Sequence, residues 1–253
     1  MTENKWHVRM ILLELGTASI ISYTRCKGIS MNKVLITGSG GVIGSVLRKG
    51  LPHDTTDFDL PHYDAKERQH LLTMAKGHEA LIHLAWDFNQ SGYLSESLNP
   101  DNVLMSFNVY EAAVQAGVKR VIMASSVHAD EFAGRTGDSP LLKPFDLPLP
   151  DSPYGASKVM METLGRYYAR AKGLEVICIR FGGVNREDIP PEQPYSERQV
   201  WFSHRDCLSL VQACLDAETV PYNYTIMYGM SDNKDRLHDL GNPFGWQPAD
   251  GAR

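Results

Sequence analysis

The sequence predicts an α/β protein: a doubly wound parallel sheet (Rossmann fold) with a small C-terminal part for a substrate. Three observations predict it. A glycine-rich turn joins an apolar strand to a helix in Lys33-Val-Leu-Ile-Thr-Gly-Ser-Gly-Gly-Val-Ile-Gly44. Later strands, such as residues 80–85, are nearly continuous apolar runs, as expected where both sheet faces are buried. Helical patterns separate the strands throughout, which is the mark of β-α-β units.

Composition sets the outer limits. Of 253 residues, 43% are hydrophobic and 22% charged, which suits a globular chain with one sizeable core. The net charge of −5 comes without a basic stripe, so nucleic acid is not an expected partner. Cys26, Cys178, Cys207 and Cys214 form no Cys-x-x-Cys and no cluster with histidine. A reduced, cytoplasmic protein without a structural metal is the expectation. Residues 1–30 carry apolar runs broken by Glu14 and Gly16, far short of the ~20 residues a membrane span needs. They also lack an Ala-x-Ala-like cleavage site. We read them as a disordered N-terminal extension, with Met31 as a natural start and 31–253 as a single Rossmann domain. No membrane partner is expected.

Each element has its own justification. Gly38, Gly41 and Gly44 stand three apart, so the backbone can approach a pyrophosphate and the following helix can offer free N–H groups. That helix runs to about Lys49, ended by Gly50 and Pro52. Residues 55–60 alternate as a second strand whose end carries Asp57 and Asp59, and Asp59 is the choice for an adenosine ribose ligand. A charged helix is expected over 64–76. The span between this strand and the next is short, as if the crossover lacked a strand. His83 sits inside the 80–85 run and reads as a core histidine. A long helix spans 99–117, with Asn99 as cap and Pro100 at its first position. The strand 118–124 delivers Ser125 and Ser126 at its end. Residues 129–153 are proline-rich and read as a surface loop. A helix is expected over 154–172, a strand over 175–180 and a second long loop over 182–199. A helix over 206–217 capped by Asp206, a strand over 223–227 and an irregular tail complete the chain.

Tyr154 and Lys158 stand four apart and so share a helical face. An ammonium beside a phenol favours the phenolate and draws its pKa from ~10 toward neutrality. Such a phenolate can take a proton from an alcohol while Ser126, or Ser125, holds the same oxygen. Chance alone gives about half a Tyr-x-x-x-Lys match in a chain of this composition, so the order of the motifs is what makes it specific. Asp87, Asn89, His128 and Arg198 are further polar candidates on loops around the crevice.

In that order the chain resembles the extended short-chain dehydrogenase/reductase family, the NAD-dependent epimerase/dehydratase group. The matching segments are Thr37-Gly-Ser-Gly-Gly-Val-Ile-Gly44, His83-Leu-Ala85, Asn102 to Asn108, Ser125-Ser126 and Tyr154-Gly-Ala-Ser-Lys158. Ser125-Ser-Val-His128, Trp201-Phe-Ser-His-Arg-Asp206 and Tyr228-Gly-Met-Ser-Asp-Asn233 are similar to the uronate dehydrogenase-like branch. The resemblance implies an NAD-dependent sugar dehydrogenase with Tyr154 as base, Lys158 as its support and Ser126 as alcohol holder. It implies that NAD contacts Gly38, Gly40, Gly41, Val42, Ile43, Gly44, Asp59, Leu60, Leu84, Ala85, Trp86 and Asn102, besides Tyr154 and Lys158. Substrate would meet Asp87, Asn89, Ser126, His128 and Arg198, helped by segments 182–202 and 228–253. Homodimers through helices 99–117 and 154–172 are also implied.

Three positions depart from the branch. Val127 replaces its asparagine, Gly183 its serine, and Ser196 the arginine that would clamp a carboxylate. A neutral or phosphorylated sugar is therefore as open as a uronate. A nucleotide-sugar epimerase, dehydratase or reductase and a non-catalytic NAD(P)-binding regulator are the alternatives. The first calls for a larger C-terminal lobe, and the second for loss of the Tyr–Lys pair.

Overall fold

A computed structural model describes residues 32–87, 97–133, 135 and 139–253. The expectations for residues 1–30 and for Asn89 lie outside the described residues. The chain runs through β1 (Lys33–Thr37), α1 (Val42–Gly50), β2 (Asp54–Phe58), α2 (Arg68–Ala75) and β3 (Ala80–His83). It continues through α3 (Pro100–Ala116), β4 (Arg120–Ser126), α4 (Pro153–Lys172) and β5 (Glu175–Phe181). A short α5 (Tyr195–Gln199), α6 (His204–Asp216) and β6 (Tyr224–Gly229) follow. All strand pairings are parallel, in the order β2-β1-β3-β4-β5-β6. A single strand thus lies outside β1, in keeping with the short crossover read from the sequence.

The strands are buried on both faces, and their two-residue period divides the core. Val34, Ile36, Ile82, Ile122, Ile177 and Ile179 point to one side, against Leu47 of α1 and Leu210, Val211 and Cys214 of α6. Leu35, Leu81, Val121, Met123, Val176 and Cys178 point to the other. There they meet Leu71 of α2, Val109 and Tyr110 of α3, and Met161 and Tyr168 of α4. Burying an aliphatic side chain contributes about 1.5–3 kcal/mol, so this double-faced burial is the main term holding the sheet. Arg120, at the start of β4, donates to Glu175 and to the carbonyls of Cys214 and Leu215, so one guanidinium satisfies the end of α6.

Three elements differ from the sequence reading. Asp64 accepts the backbone N–H of Lys66 at 2.9 Å, an Asx-type turn that holds this stretch out of α2. α6 is capped by Ser203, whose hydroxyl accepts from Asp206 N at 3.1 Å; Asp206 is not the cap. Asp206 instead turns inward and accepts from Ser231 Oγ at 2.7 Å and from the backbone of Ala249 and Asp250, tying the irregular tail to α6. Finally, the 182–199 loop contains α5.

Doubly wound sheets open a crevice where consecutive connections leave in opposite directions. Here β1 leads to β2 on one side and β2 returns to β3 on the other. The crevice therefore opens above the tips of β1 and β3.

Candidate active site

A cleft of about 600 Å³ lies above those tips. Its first wall is the glycine turn. Gly38 has φ +70, and a Cβ there would sit 2.6 Å from Ala85 N, so a side chain would collide with the end of β3. A Cβ on Gly44 would strike Gly38 O and Ser39, so the third glycine lets α1 start against the turn. Asp59 Oδ2 accepts the Gly40 N–H at 2.6 Å while Oδ1 accepts Leu60 N at 2.8 Å. Asp57, the other candidate, pairs with Arg48 at 2.8 Å away from the turn. The choice of Asp59 as the carboxylate beside the turn thus has a geometric basis.

This wall fits a dinucleotide. A backbone that admits no side chain, the N-terminus of α1 behind it, and a carboxylate at the β2 tip are the features that pyrophosphate and ribose require. Gly38, Gly41, Val42, Ile43, Gly44, Asp59 and Leu60 all line the cleft, as do Leu84, Ala85, Trp86 and Asp87 after β3. Gly40 is held by Asp59 beside it. Asn102 does not line the cleft but supports it: its Oδ1 accepts Asp87 N and its Nδ2 donates to Asp87 O, both at 2.8 Å. A buried amide on α3 thereby fixes the chain leaving β3.

The second wall comes from β4 and α4. Ser126, Tyr154 and Lys158 all line the cleft. Ser152 caps α4 by accepting Gly155 N at 3.1 Å, which starts the helix so that Tyr154 enters in its first turn. Ser126 Oγ accepts His128 N at 3.2 Å, so its own proton can be donated into the cleft. Ser125 is committed elsewhere, donating to Glu162 Oε1 at 2.5 Å. Lys158 is 4% exposed, donates to Ala124 O at 2.8 Å and lies 3.6 Å from the Trp86 ring centroid. Its ammonium is 5.4 Å from the Tyr154 ring, and Trp86 meets that ring edge-on at 5.5 Å. Burial pulls the Lys158 pKa down to about 7, with Glu162 opposing the shift. Glu162 in turn accepts two bonds from Arg180 at 2.8 Å. Arg180 also donates to Asp130, and Tyr228 donates to the same carboxylate.

The far wall holds residues the sequence reading treated unevenly. His128 lines the cleft with Nδ1 2.7 Å from Asp151 Oδ2 and its ring 5.7 Å from that of Tyr154. Arg198, expected to meet substrate, does not line it; its guanidinium donates to Pro191 O and Arg253 O. Glu197, which the sequence reading passed over, lines the cleft beside Gly183. The cause is helical phase: within α5, residues 196, 197 and 198 point about 100° apart, and 197 faces inward. Reading 182–199 as loop removed that signal. His83 lies in the core, its Nδ1 2.7 Å from Thr37 Oγ1, and burial lowers its pKa to about 3.

The chain is similar to known proteins over most of its length. A family model described as NAD dependent epimerase/dehydratase family matches residues 34–185. The chain is 30% identical to an L-arabinose 1-dehydrogenase (NAD(P)(+)) of Haloferax volcanii, over 88% of this chain and 98% of the relative. It is 28% identical to an NAD-dependent glucose-6-phosphate dehydrogenase of the same organism, over 87% of this chain and 94% of the relative. The crystal structure of uronate dehydrogenase from Agrobacterium tumefaciens superposes with a TM-score of 0.72 at 25% identity, covering 88% of this chain and 86% of the other.

Proposed function

This chain belongs to the NAD dependent epimerase/dehydratase family, and from that premise we propose that it oxidises a small cyclic sugar at its anomeric carbon to the lactone. The observation that carries the proposal is the meeting of Ser126, Tyr154 and Lys158 in one cleft with the glycine turn and Asp59.

NAD, when bound, supplies the acceptor for the hydride that leaves the anomeric carbon. The turn glycines and the start of α1 would hold its pyrophosphate, Asp59 its adenosine ribose, and Tyr154 and Lys158 its nicotinamide end. Ser126 Oγ donates to the anomeric oxygen and fixes it. Tyr154 Oη takes the hydroxyl proton as the carbon–oxygen bond gains double-bond character. Lys158 favours the Tyr154 phenolate when charged, and Glu162 opposes the loss of that charge. General-base transfer of this kind contributes about 10²–10⁴ in rate. His128 and Asp87 are further hydroxyl-bonding groups at the sugar end.

Exposed apolar side chains on α3 (Leu104, Phe107) and α4 (Met160, Tyr167) favour a homodimer through these helices. Among the described residues no helix is long and apolar enough to cross a membrane, and the buried Cys178, Cys207 and Cys214 are free thiols. A reducing, cytoplasmic setting suits them.

The test is NADH formation with neutral aldoses, uronates, sugar phosphates and nucleotide sugars. We expect turnover with at least one small sugar. Turnover or binding confined to nucleotide sugars overturns the proposal in favour of an epimerase.

A further inference from the structure

We propose that Trp86 is a positioning residue of the site: its indole face holds the Lys158 ammonium in its charged form beside Tyr154. This rests on the sugar-oxidising reading above and adds to it a residue outside the set of Ser126, Tyr154 and Lys158.

Placement comes first. Trp86 follows closely on β3, and the chain on either side of it is fixed. Ala85 N donates to Thr37 Oγ1 at 3.4 Å, and the Asn102 amide bonds both Asp87 N and Asp87 O at 2.8 Å. From there the indole reaches α4 and lines the cleft. Lys158 Nζ lies 3.6 Å from the ring centroid, a distance that only a position above the π face allows. The same ring meets that of Tyr154 at 5.5 Å, with 87° between the planes. One side chain therefore touches both members of the Tyr–Lys pair.

Charge explains what the contact does. Lys158 is buried, and a buried ammonium is costly unless its charge is answered. Its bond to Ala124 O, at 2.8 Å, goes to a neutral acceptor. Glu162, one turn further along α4, is itself engaged by Ser125 and by two bonds from Arg180. An indole face carries the negative side of the ring quadrupole and attracts a cation most strongly where water is excluded. It does so without taking up a particular N–H, so the remaining Lys158 donors can serve the nicotinamide ribose. Among the described residues the titratable groups facing Lys158 are Tyr154 and Glu162 on α4 and His83 at the β3 tip, which stays neutral. Burial brings the Lys158 pKa down to about 7. At neutral pH a contact that favours the charged form therefore decides how much of that form is present.

The experiment compares the parent, Trp86→Leu and a chain carrying a tetrafluorinated tryptophan at position 86 alone. Fluorination keeps the ring close to its shape and removes its negative face. Lysine side-chain NMR titration, with the Lys158 signal identified by its loss in Lys158→Met, reads proton affinity without any turnover. Both replacements should weaken proton binding to Lys158 by roughly 5–30-fold, the worth of a desolvated cation–π contact. At saturating NAD and sugar, kcat should fall by a similar factor at pH 8. At pH 6 the loss should shrink to a few-fold, because protonation there restores the charge. Where the two replacements differ, the fluorinated ring decides, because it still fills the site. Unchanged or tighter proton binding overturns the inference. So does a kcat that is unchanged at pH 8 or lost equally at both pH values, the mark of a displaced packing residue. If proton binding weakens but no small sugar reduces NAD, the hold on Lys158 stands and the dehydrogenase reading fails. If small sugars reduce NAD while proton binding is unchanged, that reading stands and Trp86 has no part in the charge.

Discussion

The two ends of the cleft are built by different means. At the tips of β1 and β2 the wall is backbone: Gly38 at φ +70, Gly44 against the turn, and Gly40 N–H held by Asp59. Beyond the tip of β5 the wall includes side chains carried by irregular chain and the short α5, in a region positioned by bonds between distant segments. Arg198 reaches Arg253, Gln199 Nε2 donates to Asp235 O at 2.7 Å, and Asn233 Nδ2 donates to Trp201 O at 2.7 Å. The first end tolerates few residue types, because steric room decides them. The second can change its chemistry by exchanging one side chain on an unchanged frame. Cofactor binding should therefore be hard to alter without damage, and sugar choice easy.

Tyr154 sits at the seam, and its replacement sets the largest effect. Tyr154→Phe should lower kcat by about 10²–10⁴, the loss of a general base. The NAD Kd should stay near the parental value, because the proposed binding mode puts most of the cofactor contacts at the glycine end. Stopped-flow turnover and equilibrium titration read the two separately. A near-parental kcat would remove Tyr154 from the chemistry. A large loss of NAD binding would show that the two ends are not independent.

Asp59 sharpens the contrast from the cofactor side. A hydrogen bond to a charged group contributes about 1.5–3 kcal/mol, so Asp59→Ala should weaken NAD by roughly 10–100-fold. It should also narrow the preference for NAD over NADP, because the carboxylate would repel a 2′-phosphate. The sugar KM, measured at saturating cofactor, should not move. Equal kcat/KM for NAD and NADP in the parent would contradict the role given to Asp59.

That same division explains what could be read from the sequence. The glycine spacing, the two-face strands, the Asn99 cap and the Tyr154–Lys158 face are short-range patterns, each dictated by local backbone geometry. They sufficed for the fold and for one side of the site. Asp59 against Asp57 was open until β1 and β2 were set side by side, because the Arg48–Asp57 pair is what removes Asp57. Arg198 was assigned by spacing alone and Glu197 passed over, although the phase of a short helix decides which one faces inward. Asp206 was read as a cap because it begins a helical pattern. Its three bonds to residues 231, 249 and 250 come from chain far away in sequence.

Each end also encloses one neutral histidine, and these give the smallest and most local comparison. His83 lies at the β3 tip with Thr37 as partner, and its Nε2 has no bonding partner among the described residues. His238 is fully buried in the C-terminal tail, with neither ring nitrogen bonded among the described residues, packed against Tyr228 at 4.6 Å and Phe132 at 5.6 Å. Burial, aided by Lys158 for the first and by Arg180, Arg135 and Arg236 for the second, lowers both pKa values from 6.5 to about 3. Between those pH values the unfolded chain binds a proton at each site that the folded protein does not. Stability is therefore present in full above pH 6.5 and is lost as pH falls toward 3, at about 1.4 kcal/mol per pH unit for each histidine. His238→Phe keeps the ring contacts and removes the titration. It should flatten the acid limb of urea-unfolding free energy by that amount per unit between pH 6 and 4. His83→Phe should flatten it equally if the molecule unfolds as one unit. A larger effect for His238 would show the sugar end opening first on acidification. No change of slope in either variant would mean that these histidines are not the groups that take up protons when the fold is lost.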